Sequence, residues 1–297
     1  MQRVRFIYNP FSGENKILSS LDFIISHYQK AGFRIEPFRL TYDTNIMLGL
    51  EGIDSSYHHL LIAGGDGTIN SVVNAFKQLG LDIPIAVLPA GTANDFSHLI
   101  GHGRSIKRAC LDILKGEVQY IDLGEVNGTY FVNVLSAGLF TEISQKTPTL
   151  FKNTFGKLAY YMSSVGELPN FKKIHLRIDS EDFIYDDNSL IIFVFNGRTA
   201  GNFKIAYRSD MHDGLLDVLV VKGDNIVETI STAFHFLSRR TVDYPKGVVH
   251  FKTKHLEVRG DDNINVDVDG EVGPTFPLTI NCIAKGLRII IPNNNKI

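Results

Sequence analysis

The chain of 297 residues carries only two cysteines, Cys110 and Cys282, too few for a disulfide framework and without the neighbours of a metal site. Both are expected in the core. Apolar runs long enough for a membrane helix, about 18 residues, are absent. The opening Met1-Gln2-Arg3-Val4-Arg5 leads into a strand without the apolar region of a secretory leader, so a cytoplasmic location is expected. An excess of one charge is also lacking: 30 Lys and Arg against 32 Asp and Glu leave a net charge of −2 and a pI near 6.5. That argues against a nucleic-acid partner and against strong long-range attraction to anionic membranes. Repeats and low-complexity tracts are missing. So are G-x-x-x-x-G-K-[ST] and G-x-G-x-x-G, so neither a P-loop nor a dinucleotide redox fingerprint is present.

What is there begins at Leu60-Leu61-Ile62-Ala63-Gly64-Gly65-Asp66-Gly67-Thr68-Ile69-Asn70. An apolar strand breaks into a glycine-rich turn, and Ile69, Val72, Val73 and Phe76 then recur at helical spacing. Backbone N–H groups at such a helix start can face an anion. Asp66 is the odd member, because a carboxylate beside phosphates is repelled unless a cation lies between them. The pattern points to a nucleoside triphosphate with its metal. Two more turns repeat it: Ile85 to Pro89 runs into Ala90-Gly91-Thr92-Ala93-Asn94-Asp95, and Val4 to Tyr8 runs into Asn9-Pro10-Phe11-Ser12-Gly13. In a parallel sheet with helical crossovers all three emerge on one edge, where a ligand binds. A single GGDG could be no more than a tight turn; three in order narrow that alternative.

The first portion alternates strand and helix, with Leu18 to Lys30, Ile69 to Leu79 and Ile106 to Leu114 helical. After Val118 the texture becomes strands and hairpins, including Asn127-Gly128, a type I′ turn signal. Seven further strand-like runs, from Ile174 to Ile178 through Leu278 to Cys282 and Leu287 to Ile291, imply a sandwich or barrel. Helical segments are expected near 157–165 and 226–237. The lysines and aromatics between Lys146 and Lys173 have the composition of a lid or interfacial segment, although aromatics are more often core.

Two later motifs carry chemistry. Asn265, Asp267 and Asp269 alternate with Ile264, Val266 and Val268, ahead of Gly270-Glu271. The glycine permits a turn that brings two carboxylates toward one point, where one could deprotonate a hydroxyl; the plain alternative is a solvated strand face. Asp210-Met211-His212-Asp213-Gly214-Leu215 offers a carboxylate and carbonyls suited to a hard cation, or it is simply an Asp-Gly hairpin turn.

The ordered set Asn9-Pro10 with Ser12-Gly13, Gly64-Gly65-Asp66-Gly67-Thr68, Gly91-Thr92-Ala93-Asn94-Asp95, Asp213-Gly214-Leu215-Leu216-Asp217 and Asp269-Gly270-Glu271 resembles the soluble bacterial diacylglycerol-kinase-type lipid kinases, over nearly the whole chain. Sphingosine and ceramide kinases are similar, and NAD kinases share the GGDGT element. The resemblance implies an α/β nucleotide-binding domain, an open parallel Rossmann-like sheet over residues 1–123 completed by 287–297, followed by an all-β sandwich over 124–286, with the active site in the cleft between them. It implies ATP and Mg²⁺ as cofactors and a membrane lipid as acceptor, met transiently at the membrane surface. A homodimer is a further open expectation. The nucleotide would be held by Asn9, Pro10, Phe11, Ser12, Gly13, Thr41, Gly64, Gly65, Gly67, Thr68, Ile69, Asn70, Ser71, Thr92, Asn94 and Asp95. Asp66 would engage the metal–nucleotide, and Asp95 and Asp122 would link nucleotide and metal through water. Glu271 or Asp269 would be the base, and the resemblance does not choose between them. Asp210, Asp213 and Leu215 would hold an auxiliary Mg²⁺. Two departures stand out: Ser71 where relatives usually have Glu, and Ala206-Tyr207 where many have Ala-Pro. They keep open a nucleotide-binding regulatory protein that has lost turnover; the shared GGDGT element keeps open an NAD-kinase-like small-molecule kinase, against which the late Asp-Gly-Glu stands.

Overall fold

The computed structural model describes residues 1–43, 45–103, 105–138, 173–200, 203–222, 244–261 and 263–293. The chain divides into two compact units, one formed by Met1–Ile121 with Lys285–Ile297 and the other by Asp122–Ala284. The helical segments expected at 157–165 and 226–237, and the lid composition between Lys146 and Phe171, lie outside the described residues.

In the first unit, β1 (Gln2–Tyr8), β2 (Phe33–Arg39), β3 (Tyr57–Gly64) and β4 (Ile85–Pro89) pair in the order β4-β3-β1-β2, and every pairing is parallel. β3 and β4 are near-continuous apolar runs because helices cover both faces of such a sheet. The helices are α1 (Leu21–Lys30), α2 (Ile46–Leu50), α3 (Asp66–Gln78), α4 (Asp95–Leu99) and α5 (Ile106–Ile113). The periodic residues Ile69, Val72, Val73 and Phe76 are the buried face of α3. The first helix starts at Leu21; Leu18–Ser20 form a separate 3-10 turn. Ile24, Tyr28, Val4, Phe6, Leu61, Leu88, Cys110 and Ile290 share one core.

The second unit is a β-sandwich. The remaining strands are β5 (Glu117–Val126), β6 (Thr129–Phe131), β7 (Val134–Gly138), β8 (Ile174–Ser180), β9 (Ile184–Phe195), β10 (Thr199–Ala200), β11 (Phe203–Lys204), β12 (Leu216–Lys222), β13 (Val248–Thr253), β14 (His255–Arg259), β15 (Val266–Val268), β16 (Glu271–Val272) and β17 (Leu278–Ile291), all in this unit except residues 117–121 of β5 and 285–291 of β17, which belong to the first. β5 and β6 form the hairpin expected at Asn127-Gly128, and both turn residues have positive φ. The long β9 pairs antiparallel with β7, β8 and β12, so it organises the unit. Alternate residues of these strands feed two apolar cores, one around Leu176, Ile192, Val218 and Leu278, the other around Phe193, Phe195, Leu219 and Val221.

The two strands expected at Leu278 to Cys282 and Leu287 to Ile291 are one 14-residue strand, β17. Its first half pairs with β14, and Ile289 lies in parallel register beside Ile85 of β4. Ala284-Lys285-Gly286 reads as a break, yet the strand continues through it with Lys285 at φ 54°.

Candidate active site

β1, β3 and β4 each hand their C-terminal end to one of the glycine turns. After β1, the Asn9 amide N–H donates to the Ala63 carbonyl at 2.9 Å, and Asn9 Nδ2 donates to Thr68 Oγ1 at 3.0 Å. The Gly65 N–H donates to Ser12 Oγ at 3.3 Å. The first turn is thereby stitched to the second. The second meets the third backbone to backbone: a Cβ on Gly91 would lie 2.3 Å from Gly65 Cα, and one on Gly13 would lie 2.3 Å from the Ala90 carbonyl oxygen. No side chain fits between them. The sequence-predicted Asn9, Ser12, Gly13, Gly64, Gly65 and Thr68 thus come together with Gly91, and Gly65 opens α3 without a side-chain cap. Such an arrangement is suited to an anion.

The remaining predicted residues fall around it. Pro10 is buried, while Phe11 is exposed and stacks on Tyr42 with ring centroids 4.1 Å apart. Thr41 lies exposed in the loop after β2. Ile69 and Asn70 are buried in α3, and Gly67 and Ser71 are partly exposed there. Thr92 is exposed. Asn94 adopts the left-handed conformation, its Oδ1 accepting from the Gly91 N–H at 2.7 Å and its Nδ2 donating to the Gly91 carbonyl at 2.9 Å. Asp95 is buried at the start of α4. Asp66 leans the same way: its Oδ1 accepts the Phe96 N–H at 3.2 Å. Burial raises its pKa above the ordinary value, opposed by the N–H groups of Phe96, Asp95 and Asn94. Asp66 therefore joins the second turn to the third.

In the second unit the acidic row does not face solvent. Asp267 is 4% and Asp269 8% exposed. The reason is local: Asp269 leaves the strand at φ 53°. Its Oδ2 accepts the Val132 N–H at 2.7 Å, and its Oδ1 accepts from Asn133 at 3.0 Å and Val134 at 2.8 Å. Asp267 Oδ1 accepts the Gly270 N–H at 3.0 Å. These two carboxylates hold the hairpin together. Glu271, first residue of β16, is exposed, and its carboxylate has no hydrogen-bond or ion-pair partner among the described residues. The two candidates for the base are physically different groups.

The loop 210–215 is closed on itself and on Asp122. The Asp122 N–H donates to the Met211 carbonyl at 2.7 Å, and the Gly214 N–H donates to Asp122 Oδ2 at 2.7 Å. Asp210 Oδ1 accepts from the His212 N–H at 3.1 Å. Both oxygens of Asp213 hold donors, Oδ1 the Leu215 N–H at 3.0 Å and Oδ2 the Lys252 ammonium at 2.7 Å. A divalent ion at bonding distance from Oδ2 would stand within about 5 Å of that ammonium, a like charge. The donor set formed by Asp210, Asp213 and Leu215 does not fit a metal ion as its side chains stand. Lys252 went unread in the sequence; no motif marks it, and it lies 39 residues beyond Asp213.

Residues 3–126 match the diacylglycerol kinase catalytic domain, and residues 133–291 match the YegS C-terminal NAD kinase beta sandwich-like domain. The chain belongs to the diacylglycerol-kinase-type lipid kinase family that joins these two domains. It is a kinase with an alcohol acceptor. Among similar curated proteins, diacylglycerol kinase of Bacillus subtilis (strain 168) is 28% identical over 295 residues, covering 98% of this chain and 97% of the relative. Diacylglycerol kinase of Staphylococcus aureus (strain MRSA252) is 28% identical over 296 residues, covering 99% of this chain and 93% of that one. A crystal structure from Bacillus anthracis strain Sterne, of a protein provisionally called a diacylglycerol kinase, superposes with a TM-score of 0.83 at 25% identity, covering 98% of this chain and 96% of that one.

Proposed function

We propose that the chain transfers the γ-phosphate of Mg·ATP to a hydroxyl of a membrane lipid, with diacylglycerol, phosphatidylglycerol and sphingoid bases as the acceptor classes. The observation that carries the nucleotide half is the meeting of three turns at Gly13, Gly65 and Gly91, where neither Gly13 nor Gly91 has room for a side chain. Backbone N–H groups and the α3 start then serve the phosphates, with Ser12 and Thr68 hydroxyls at the rim. The nucleotide's Mg²⁺ arrives as part of the substrate and neutralises phosphate charge. Asp66 and Asp95 share the α4 start, and their charge favours a metal-bound nucleotide over the free anion.

Glu271 supports the acceptor half because its carboxylate is exposed and uncommitted. In the proposed step it takes the proton of the acceptor hydroxyl as that oxygen attacks the γ-phosphorus. The bond from γ-phosphorus to the bridging oxygen breaks, and ADP leaves with the electron pair. Asp269 positions the hairpin that presents Glu271. The test uses γ-labelled ATP, Mg²⁺ and the three lipid classes in mixed micelles. Label entering an organic-extractable product is expected. Bound ATP with no transfer to any of them would overturn the reading, and phosphorylation of NAD instead would replace the lipid with a soluble acceptor.

A further inference from the structure

Asp217 is fully buried in β12, directly opposite Lys252 in the antiparallel register with β13. His250, two residues earlier on β13, lies on the same face. His250 Nε2 reaches Asp217 Oδ1 at 2.7 Å, and Lys252 Nζ reaches Asp217 Oδ2 at 3.4 Å. The same Nζ donates to Asp213 Oδ2 at 2.7 Å and to the Arg208 carbonyl at 3.4 Å. Three oxygens from two carboxylates and one carbonyl therefore lie around one ammonium, two of them accepting its N–H groups and Asp217 Oδ2 held as an ion pair. Oxygens of these types are the ligands a hard divalent cation takes.

We infer that the Lys252 ammonium is the resident cation of the 210–215 loop, built into the chain where family resemblance places a divalent metal. The charge balance supports this: two carboxylates face one ammonium and one imidazole, and a metal added beside them would meet Lys252. Other ionisable groups lie near the cluster. The Tyr244 ring is 4.7 Å from His250 and 4.7 Å from Tyr207, and the Arg208 guanidinium lies 5.9 Å from the Tyr207 ring. Through Asp213 and Gly214 the ammonium also steadies the loop that holds Asp122. Lys252 is a positioning residue, and its role is independent of which acceptor is used.

The experiment is a Mn²⁺ titration of the nucleotide-free full chain, read by electron paramagnetic resonance of the free ion, with folding checked by circular dichroism. Wild type and Asp213→Asn should bind Mn²⁺ indistinguishably. Lys252→Met should gain a site at least ten-fold tighter, lost again when Asp213→Asn is added, whereas Lys252→Arg should gain none. A wild-type Mn²⁺ site that Asp213→Asn abolishes would overturn the inference, as would a folded Lys252→Met chain that gains no site. Should Lys252→Met not fold, the comparison of wild type with Asp213→Asn decides alone. Because no ATP or lipid is present, the outcome is separate from whether the chain phosphorylates lipid.

Discussion

At the scale of single residues, Asp269 and Glu271 sit two positions apart and do opposite things. Removing charge from Asp269 leaves three buried N–H groups competing for one amide oxygen. Asp269→Asn should therefore destabilise the chain by about 2–4 kcal/mol, measured by urea unfolding, and its activity loss should follow the unfolded fraction. Glu271→Gln touches an exposed side chain, so its unfolding midpoint should match wild type. Its turnover at saturating ATP and lipid should fall by about 10²- to 10⁴-fold. Equal turnover with unchanged stability would return the base to another residue. Two buried histidines set a pH dependence in the first unit. Burial lowers the His59 pKa to about 3 and the His102 pKa to about 4, both below the ordinary value near 6.5. The unfolded chain binds protons that the folded chain refuses, so stability is full above pH 6.5 and falls as pH drops toward 4. At pH 5 the loss should be about 2 kcal/mol for each histidine. Unfolding at pH 7.5 and 5 measures it, and His59→Gln, which does not titrate, should recover about half of the difference.

At the scale of elements, the contact between turns decides whether a phosphate surface exists. Gly91→Ala would drive a Cβ into Gly65 Cα, so the two turns must part. The expected cost is about 1–3 kcal/mol in stability, with ATP affinity reduced at least ten-fold by calorimetry. Gly103→Ala meets the Arg108 side chain in ordinary contact, Cγ at 3.5 Å and Cβ at 4.0 Å, and should bind ATP as wild type does. The glycine turns, the α3 periodicity and the Asn127-Gly128 hairpin were legible because each is a local pattern with a local cause. Asp269 was not: its alternation predicts an outward side chain, and only the positive φ turns the carboxylate onto the 132–134 backbone. Asp66 likewise reads as a metal-facing carboxylate until α4 supplies N–H donors 30 residues later. Lys252 and Asp217 become partners through the register of β12 and β13, and their sequence separation hides it.

At the scale of the molecule, the chain returns to its first unit only after traversing the second. Leu287, Ile289, Ile290 and Ile291 are all buried, Ile290 within the first unit's core. The Ile290 carbonyl lies 3.2 Å from His102 Nε2, and Gly286 accepts from Lys77 Nζ at 3.1 Å. Burying four aliphatic side chains is worth about 6–12 kcal/mol before allowance for compactness of the unfolded chain, comparable with the whole stability of a domain. A chain ending at residue 284 should therefore lose the first unit's cooperative unfolding transition, and a synthetic peptide of residues 285–293 should restore it in part. On the ribosome the α/β unit waits with the edge of β4 uncovered while more than 160 further residues are made. On the proposed function, nucleotide competence would therefore be acquired late in synthesis, and a chain released by a ribosome that stalls within the sandwich should not bind ATP.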